Sequence, residues 1–179
     1  MEFTYENVTT WFEDYFSTFN KNAGPLETVP NMEKFFTPDF EFWPYNMPAG
    51  SVPRPSSREQ LLMTMVHPGL HEQLEPHEYI IDLKRMVVVV QFQLQFNDEI
   101  SGAKWPAKQA SAHYHLVPDV DIGFKIKKIQ YFTEATAPET TSPTTRELWK
   151  KYKDKALEEL AINWIKAPHK TLDEIKAKH

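Results

Sequence analysis

The run 86–96, which reads MVVVVQFQLQF, constrains the fold more than any other feature of this chain. Side chains alternate between the two faces of a β-strand. One face of this run is apolar, whereas the other carries three glutamines. We predict that the apolar face points inward and that the mixed face points outward. The predicted inward residues are Val88, Val90, Phe92, Leu94 and Phe96, and the predicted outward residues are Val87, Val89, Gln91, Gln93 and Gln95.

Two neighbouring runs have the character of strands that pair with it. Residues 77–84 precede it, and a tight turn is expected near Lys84 and Arg85. Residues 108–117 alternate in the same way. Their predicted inward residues are Ala110, Ala112, Tyr114 and Leu116, and their predicted outward residues are Gln109, Ser111, His113 and His115.

The last predicted strand, residues 124–132, changes its alternation part-way. Ile126 and Ile129 are both apolar, although they lie three positions apart and a regular strand repeats every two. This change predicts a β-bulge at Lys127 and Lys128, which is a common way to bend a sheet.

Helices are predicted before and between the strands. Residues 5–20 carry a broad apolar stripe at three- and four-residue steps, and residues 31–36 look like a short helix capped by Asn31. Residues 38–43 alternate as a first strand. A further helix is expected after a capping box formed by Ser56 and Glu59. Helices beside one antiparallel sheet make the predicted fold α+β.

The length of 179 residues suits one domain with an appendage. Residues 1–134 hold all of the predicted strands and form the expected domain. Residues 135–179 are expected to supply a linker and a C-terminal helical extension. The face of that predicted helix is marked by Trp149, Tyr152, Ala156, Leu160 and Trp164.

Charge and composition narrow the classes of function. The net charge of −5 argues against a nucleic-acid partner, because the phosphate backbone favours a basic surface. The chain contains no cysteine, so disulfides and thiolate metal sites are excluded. Its first residues are acidic rather than basic, and no apolar run approaches the ~20 residues of a membrane span. We expect a cytoplasmic protein with no membrane partner.

The segments FNKNAG (19–24), FFTPDFEF (35–42) and FKIKKIQYF (124–132), taken with the element order, resemble the SnoaL-like group of the nuclear-transport-factor-2-like superfamily. The resemblance covers roughly residues 5–134. It implies a cone made by a strongly bent antiparallel sheet, closed by helices around a hydrophobic pocket. Members include polyketide cyclases, ketosteroid isomerases, scytalone dehydratase and non-catalytic binders. Many of them dimerise through the outer face of the sheet, so a homodimer is expected.

This resemblance, with the chemistry of the side chains, selects three catalytic candidates. His77 stands at the start of its predicted strand, as in the dehydratases, and a histidine there can carry a proton. Tyr15 stands where ketosteroid isomerases have an oxyanion-binding phenol. Tyr45 is similar to a substrate-holding tyrosine of the dehydratases. The carboxylate base of the isomerases would fall on Pro44 or Tyr45 and their second acid near Ala112, so that chemistry is incomplete here.

Five further residues are candidates for binding a substrate. Asn20 follows the first helix where the dehydratases have an aspartate, and it could instead cap the helix. Trp43 could form a pocket wall. The walls from the sheet are predicted to be Phe92, Leu94 and Tyr114.

His113 and His115 form a His-x-His pair with a possible metal role. The alternative is that they decorate an outer surface, and we expect neither a metal nor another cofactor. The predicted function is to bind a small hydrophobic organic molecule. Two versions stay open: a cofactor-independent lyase, isomerase or cyclase that uses acid–base chemistry, or a non-catalytic ligand-binding or dimeric interaction module.

Overall fold

The computed structural model describes residues 1–45, 55–66, 70–98, 102, 104 and 107–133. The predicted linker and C-terminal helical extension, residues 135–179, lie outside the described residues. So do most of the loop after the first strand and most of the connection between residues 97 and 106.

The first helix, α1, spans Tyr5–Asn22, two residues beyond the predicted end. Thr4 caps its start, because the Thr4 hydroxyl accepts a hydrogen bond from the backbone N–H of Asn7 at 3.2 Å. Its predicted apolar stripe is buried, and the stripe consists of Val8, Trp11, Phe12, Tyr15, Phe16 and Phe19. The helix therefore presents five aromatic rings to the interior.

The predicted short helix after α1 is a 3-10 helix, Val29–Phe35. It begins two residues earlier than expected, with Thr28 rather than Asn31 at the cap position. Proline lies in its first turn, where the missing N–H would have no helical partner. Asn31 instead donates from its side chain to the side-chain oxygen of Asn22, at 2.7 Å.

The helix α2 spans Arg58–Thr64, and its cap is one residue later than predicted. Ser57 accepts from the backbone N–H of Gln60 at 3.2 Å. The Gln60 side chain reaches back to the N–H of Ser56 at 2.8 Å. The capping box therefore uses Ser57 and Gln60, not Ser56 and Glu59, because the chain enters the helix with Ser57 in an extended conformation.

Five strands form one sheet in the order β1-β5-β4-β3-β2. Their bounds are β1 Phe36–Tyr45, β2 Leu70–Asp82, β3 Val87–Asp98, β4 Lys108–Asp119 and β5 Gly123–Thr133. Strands β2 to β5 are antiparallel neighbours, as predicted. Strand β1 pairs with β5 in parallel, so the sheet is mixed rather than wholly antiparallel. The sheet is curved and unclosed, and the α+β cone fold is confirmed.

Two bulges bend the sheet. His115 pairs with Lys128 and Leu116 with Ile126, so Lys127 is the extra residue and the predicted bulge is confirmed. The second bulge is in β2, where the register shifts between Pro76 and Glu78. This strand begins at Leu70, seven residues before the prediction, because the second bulge interrupts the alternation that sequence patterns rely on.

The alternation of β3 and β4 is confirmed. All four predicted inward residues of β4 are buried, and the glutamines of β3 face outward. The buried inward residues of β3 are Val88, Val90, Phe92 and Leu94. The inner face of the sheet thus packs against α1, the 3-10 helix and α2 to form one core.

Candidate functional site

Two phenols meet in the middle of this core. Tyr15 comes from the buried stripe of α1, and Tyr114 comes from the inner face of β4. Their ring centroids are 5.8 Å apart and their hydroxyls are hydrogen-bonded to each other. Each residue is 2% exposed. We call these two residues the phenol pair.

Burial raises the pKa of both phenols of the pair above the usual value of a tyrosine. The physical cause is that a phenolate loses its hydration in an apolar interior, so the neutral form is favoured. Both hydroxyls therefore keep their protons throughout the neutral pH range and act as hydrogen-bond donors.

Two more tyrosines flank the pair. Tyr131 of β5 hydrogen-bonds to the side chain of Thr133, and burial raises its pKa. Burial also raises the pKa of Tyr79 to about 12. The Tyr79 hydroxyl and the indole N–H of Trp11 are buried and have no hydrogen-bond partner among the described residues. Buried polar atoms of this kind call for an explanation, since an unmade hydrogen bond costs ~1–3 kcal/mol.

A carboxylate also faces this interior, and sequence reasoning missed it. Glu72 lies on β2, on the same face as the buried Leu70 and Leu74, and it is half-buried. Its negative charge raises the pKa of both Tyr15 and Tyr131 further. The sequence signal was hidden because Glu72 precedes the β2 bulge, in a stretch where no strand was predicted.

The structure places His77 and Tyr45 far from this group. His77 is the exposed extra residue of the β2 bulge. Tyr45 stacks on Phe132, with ring centroids 4.9 Å apart, on the outer face of the sheet. His77 and Tyr45 lie on opposite edge strands, four strand spacings or roughly 19 Å apart along the sheet. The geometry brings neither of them to Tyr15, so their catalytic roles stay predictions without geometric support.

The predicted substrate-binding residues divide between the two faces. Phe92 and Leu94 lie on the inner face, and the Phe92 ring is 6.1 Å from that of Tyr131. Trp43 lies on the outer face, where Lys128 stands 5.1 Å from its ring. Phe92, Leu94 and Tyr114 therefore belong to the buried inner face of the sheet and Trp43 does not, and a binding role for any of them stays a prediction.

Asn20 has a structural role that the sequence did not reveal. Its side-chain amide donates to the carbonyl of Leu74 and accepts from the N–H of the same residue, each at 2.8 Å. The amide thus pairs with the free edge of β2 as another strand would. It does not cap α1, whose C-cap is Ala23.

His113 and His115 lie on the outer face, as the alternation predicts. His113 packs against Phe132 at 5.0 Å, and a ring nitrogen of His115 is 3.0 Å from the side-chain oxygen of Gln130. Burial lowers the pKa of His113, and the neighbouring His115 lowers it further. Within the described ranges, no group of three or more His, Cys, Asp or Glu side chains is arranged to hold a metal ion.

Solved structures with a similar fold are known. The chain aligns with ActVI-ORFA from Streptomyces coelicolor at 11% identity and a TM-score of 0.55, covering 74% of this chain and 98% of the other. It aligns with AusH from Aspergillus nidulans at 13% identity and a TM-score of 0.56, covering 79% and 98%. It aligns with nuclear transport factor 2 from Cryptosporidium parvum at 13% identity and a TM-score of 0.54, covering 70% of this chain and 90% of the other.

The chain has the nuclear-transport-factor-2-like fold. At these identities the likeness establishes the fold and leaves the activity open. The sequence matches no family model and no curated protein. None of the helices in the described part of this nuclear-transport-factor-2-like chain has the length and apolar character needed to cross a membrane.

Proposed function

We propose that the interior of the cone binds a small, largely apolar organic molecule and that the phenol pair donates a hydrogen bond to an oxygen of that molecule. The observation that carries this proposal is the buried phenol pair itself, with Glu72 directed toward the same interior.

Hydrogen-bond accounting supports the proposal. Two tyrosine hydroxyls supply two protons, and their mutual bond uses one of them. The other O–H proton needs a further acceptor inside an apolar core, and a ligand oxygen can be that acceptor. The indole N–H of Trp11, whose ring is stacked on Tyr15 with centroids 5.9 Å apart, is a further donor of the same kind.

Acid–base chemistry without a cofactor is the catalytic version of this function. Glu72 accepts a proton from a carbon or hydroxyl of the ligand, and the phenol pair stabilises the negative charge that develops on the ligand oxygen. Dehydration, isomerisation and cyclisation all need these two steps. The non-catalytic version keeps the binding and omits the proton transfer.

Binding of naphthol to the full chain, followed by isothermal titration calorimetry, tests the proposal. Tyr114→Phe removes one donor and keeps the ring, so the naphthol affinity should fall about threefold to tenfold. The matched control is Tyr45→Phe, which removes an outer-face hydroxyl and should leave the affinity unchanged. Equal losses in both variants, or undetectable naphthol binding to the unaltered chain, would refute interior binding through the phenol pair.

A second candidate function is self-association through the outer face of the sheet. Strand register aligns outer side chains in rows that cross all five strands. One row consists of Ile80, Val89, His113, Gln130 and Trp43. The next consists of Glu78, Gln91, Ser111, Phe132 and Tyr45. The rows give this face an apolar and aromatic part bordered by glutamines.

The size of the outer face favours a second copy as its occupant. Five strands ~4.8 Å apart and about 10 residues long present roughly 800 Å², which is about what one partner buries in a stable interface. Ile80 is 53% exposed and Trp43 is 39% exposed on this face. The predicted homodimer is therefore proposed to form here.

Sedimentation velocity over a concentration series tests self-association. Ile80→Glu puts a charge into the proposed interface and should weaken association at least about tenfold. Leu83, in the β2–β3 turn, is also 53% exposed, so Leu83→Glu is a matched control that should leave association unchanged. A chain that stays monomeric at all concentrations would contradict the homodimer, whatever covers the outer face of the sheet.

A further inference from the structure

We propose that His113 and His115 make the self-association of this chain depend on pH: their neutral rings lie in the interface between two copies, and protonation of these rings separates the copies. The inference rests on the proposed homodimer and adds a means of regulating it. Association is strong in neutral solution and weakens as the solution is acidified.

Both histidines lie at the middle of the outer face of the sheet. Strand β4 is the third of five strands in the order β1-β5-β4-β3-β2. The two histidines alternate with three buried residues, Ala112, Tyr114 and Leu116. The side chains of His113 and His115 therefore leave the strand on the outer side, where both are partly buried already in the single chain.

The side chains next to His113 are apolar, aromatic or uncharged. In strand register it lies between Val89 of β3 and Gln130 of β5, and its ring centroid is 5.0 Å from that of Phe132. Burial lowers the pKa of His113, and the neighbouring His115 lowers it further, so the His113 ring is neutral at about pH 7. A neutral imidazole suits an interface from which water is excluded, whereas an imidazolium there loses its hydration.

His115 adds a second titratable ring two residues along the strand. One of its ring nitrogens is 3.0 Å from the side-chain oxygen of Gln130, whose amide lies 3.4 Å from the Tyr45 hydroxyl. In strand register His115 stands opposite Lys128 of β5. Protonation of both histidines would therefore gather three positive charges on two adjacent strands, those of His113, His115 and Lys128. Like charges repel, and the repulsion strengthens when water leaves the surface.

The carboxylates around the two histidines have other partners or lie further away. Three of them form ion pairs: Asp82 with Arg85 at 2.7 Å, Asp119 with Lys125 at 2.8 Å and Asp39 with Lys127 at 3.5 Å. Glu41 accepts a hydrogen bond from the indole N–H of Trp43 at 2.9 Å. Glu78 stands on β2, two strands away from β4. The charge closest to the rings in strand register is therefore the positive charge of Lys128.

Two-fold symmetry gives the central position of the rings its effect. In a dimer of identical chains the same patch is present on both sides of the interface, so residues at the middle of one patch meet the middle of the other. Because β4 is the middle strand, the proposed interface brings the histidines of the two copies close together. Each protonated ring then faces the positive charges of its own copy and of the other.

The direction of the pH effect follows from proton linkage. The dimer holds the rings neutral, so it binds fewer protons than the two separate chains. Association is therefore at full strength above the usual histidine pKa of about 6.5 and is lost progressively below it. Each ring is present twice in the dimer, so we expect the dissociation constant to rise at least about tenfold between about pH 7.5 and about pH 5.5.

Sedimentation equilibrium of the full chain at these two pH values tests the inference, with EDTA present so that no metal ion occupies the histidine pair. The double variant His113→Gln, His115→Gln keeps polar, uncharged side chains and should associate equally at both pH values. His77→Gln is the matched control, because His77 is exposed at the β2 bulge. It should leave the pH dependence unchanged.

A second measurement needs no variant. Dilution calorimetry at about pH 6.5, in two buffers that differ in ionisation enthalpy, counts the protons taken up when the dimer dissociates. We expect uptake of about one proton per dimer, because rings that are neutral in the dimer become partly protonated in the separate chains. Dissociation without proton uptake would overturn the inference.

The homodimer and its pH dependence fail differently. A chain that is monomeric at both pH values refutes the homodimer, and the inference with it. A dimer with the same dissociation constant at both pH values, or one that tightens in acid, leaves the homodimer standing and overturns the inference. Unchanged pH dependence in the double variant also overturns it, because other groups would then be responsible.

Discussion

At the scale of single residues, the chain keeps polar atoms in an interior that apolar atoms could fill. A phenylalanine at position 15 or 114 would pack with the same ring and would avoid the cost of burying a hydroxyl. The phenol pair instead offsets that cost partly by a mutual hydrogen bond. Such an arrangement is typical of residues that are retained for what they bind, and it underlies the proposed function.

The raised phenol pKa values make stability fall at alkaline pH. In the unfolded chain tyrosine ionises near its ordinary value of 10.0, whereas the folded chain holds Tyr15, Tyr114 and Tyr131 neutral to higher pH. Stability from these groups is complete below pH 10.0 and is lost as the pH rises above it, by about 1.4 kcal/mol per pH unit for each phenol. Urea unfolding across this range measures the slope.

Tyr15→Phe provides the internal check on this slope. It removes one of the four phenols with a raised pKa, of which Tyr79 is the fourth, so the loss of stability per pH unit should become shallower. Tyr5 is 53% exposed on the same helix, and Tyr5→Phe should leave the slope as it is. A slope that is insensitive to Tyr15→Phe would mean that other groups cause the alkaline loss.

Asn20 shows how one side chain can fix an element in place. Its paired hydrogen bonds hold the end of α1 against the edge of β2. Asn20→Ala should lower the free energy of unfolding by about 1–3 kcal/mol, because the N–H and carbonyl of Leu74 lose their partner. Asn7→Ala, which removes an exposed amide bonded to the Glu2 carbonyl at 3.0 Å, should cost less. Chemical unfolding measures the free energy of unfolding of both variants, and the comparison holds if their m-values are equal.

At the scale of elements, the bulges decide where side chains point. The bulge at Lys127 lets Ile126 and Ile129 both face inward, as both are buried. The bulge at His77 turns that side chain to solvent while Tyr79 returns to the inner side, with its ring 5.9 Å from that of Phe12. The first could be predicted because apolar residues bracket it. The second could not, because polar residues precede it.

The cap of α2 supplies the prediction at this scale. Ser57→Ala removes the side-chain acceptor of the Gln60 N–H and should lower the free energy of unfolding by about 1 kcal/mol. Ser56→Ala removes only a weak hydroxyl contact to Gln60, at 3.3 Å, and should change stability by much less. Thermal unfolding of the two variants distinguishes the observed cap from the one that the sequence predicted; a larger loss for Ser56→Ala would contradict the structure.

At the scale of the whole molecule, the strand order separates a protected centre from two edges. Strands β3, β4 and β5 have a neighbour on each side, whereas β1 and β2 have one neighbour each. Amide hydrogen exchange should therefore be slowest in β3, β4 and β5 and faster in β1 and β2. Fragment-resolved mass spectrometry measures this order. Equal protection of β1 and β4 in the isolated chain would contradict the sheet order.

The same two-sided sheet explains how far the sequence could be interpreted. Side-chain alternation is local, so the inward residues of β3 and β4 and the buried stripe of α1 could be predicted correctly. The places of Tyr45 and Trp43 could not, because their face depends on the register of β1 with β5. That pairing joins residues at opposite ends of the domain, for example Tyr45 and Phe132.

The sequence by itself determined the order of helices and strands, the two faces of the central strands and the α+β class, because these follow from spacings of a few residues. Tertiary structure alone decided that Tyr15 and Tyr114 bond to each other, that the charge of Glu72 reaches Tyr15 and Tyr131, and that Asn20 holds β2. The reason is distance along the chain: Tyr15 and Asn20 each lie more than 50 residues from their partners, Tyr114 and Leu74. Their pairing is set by how the bent sheet closes on α1, which no local pattern encodes.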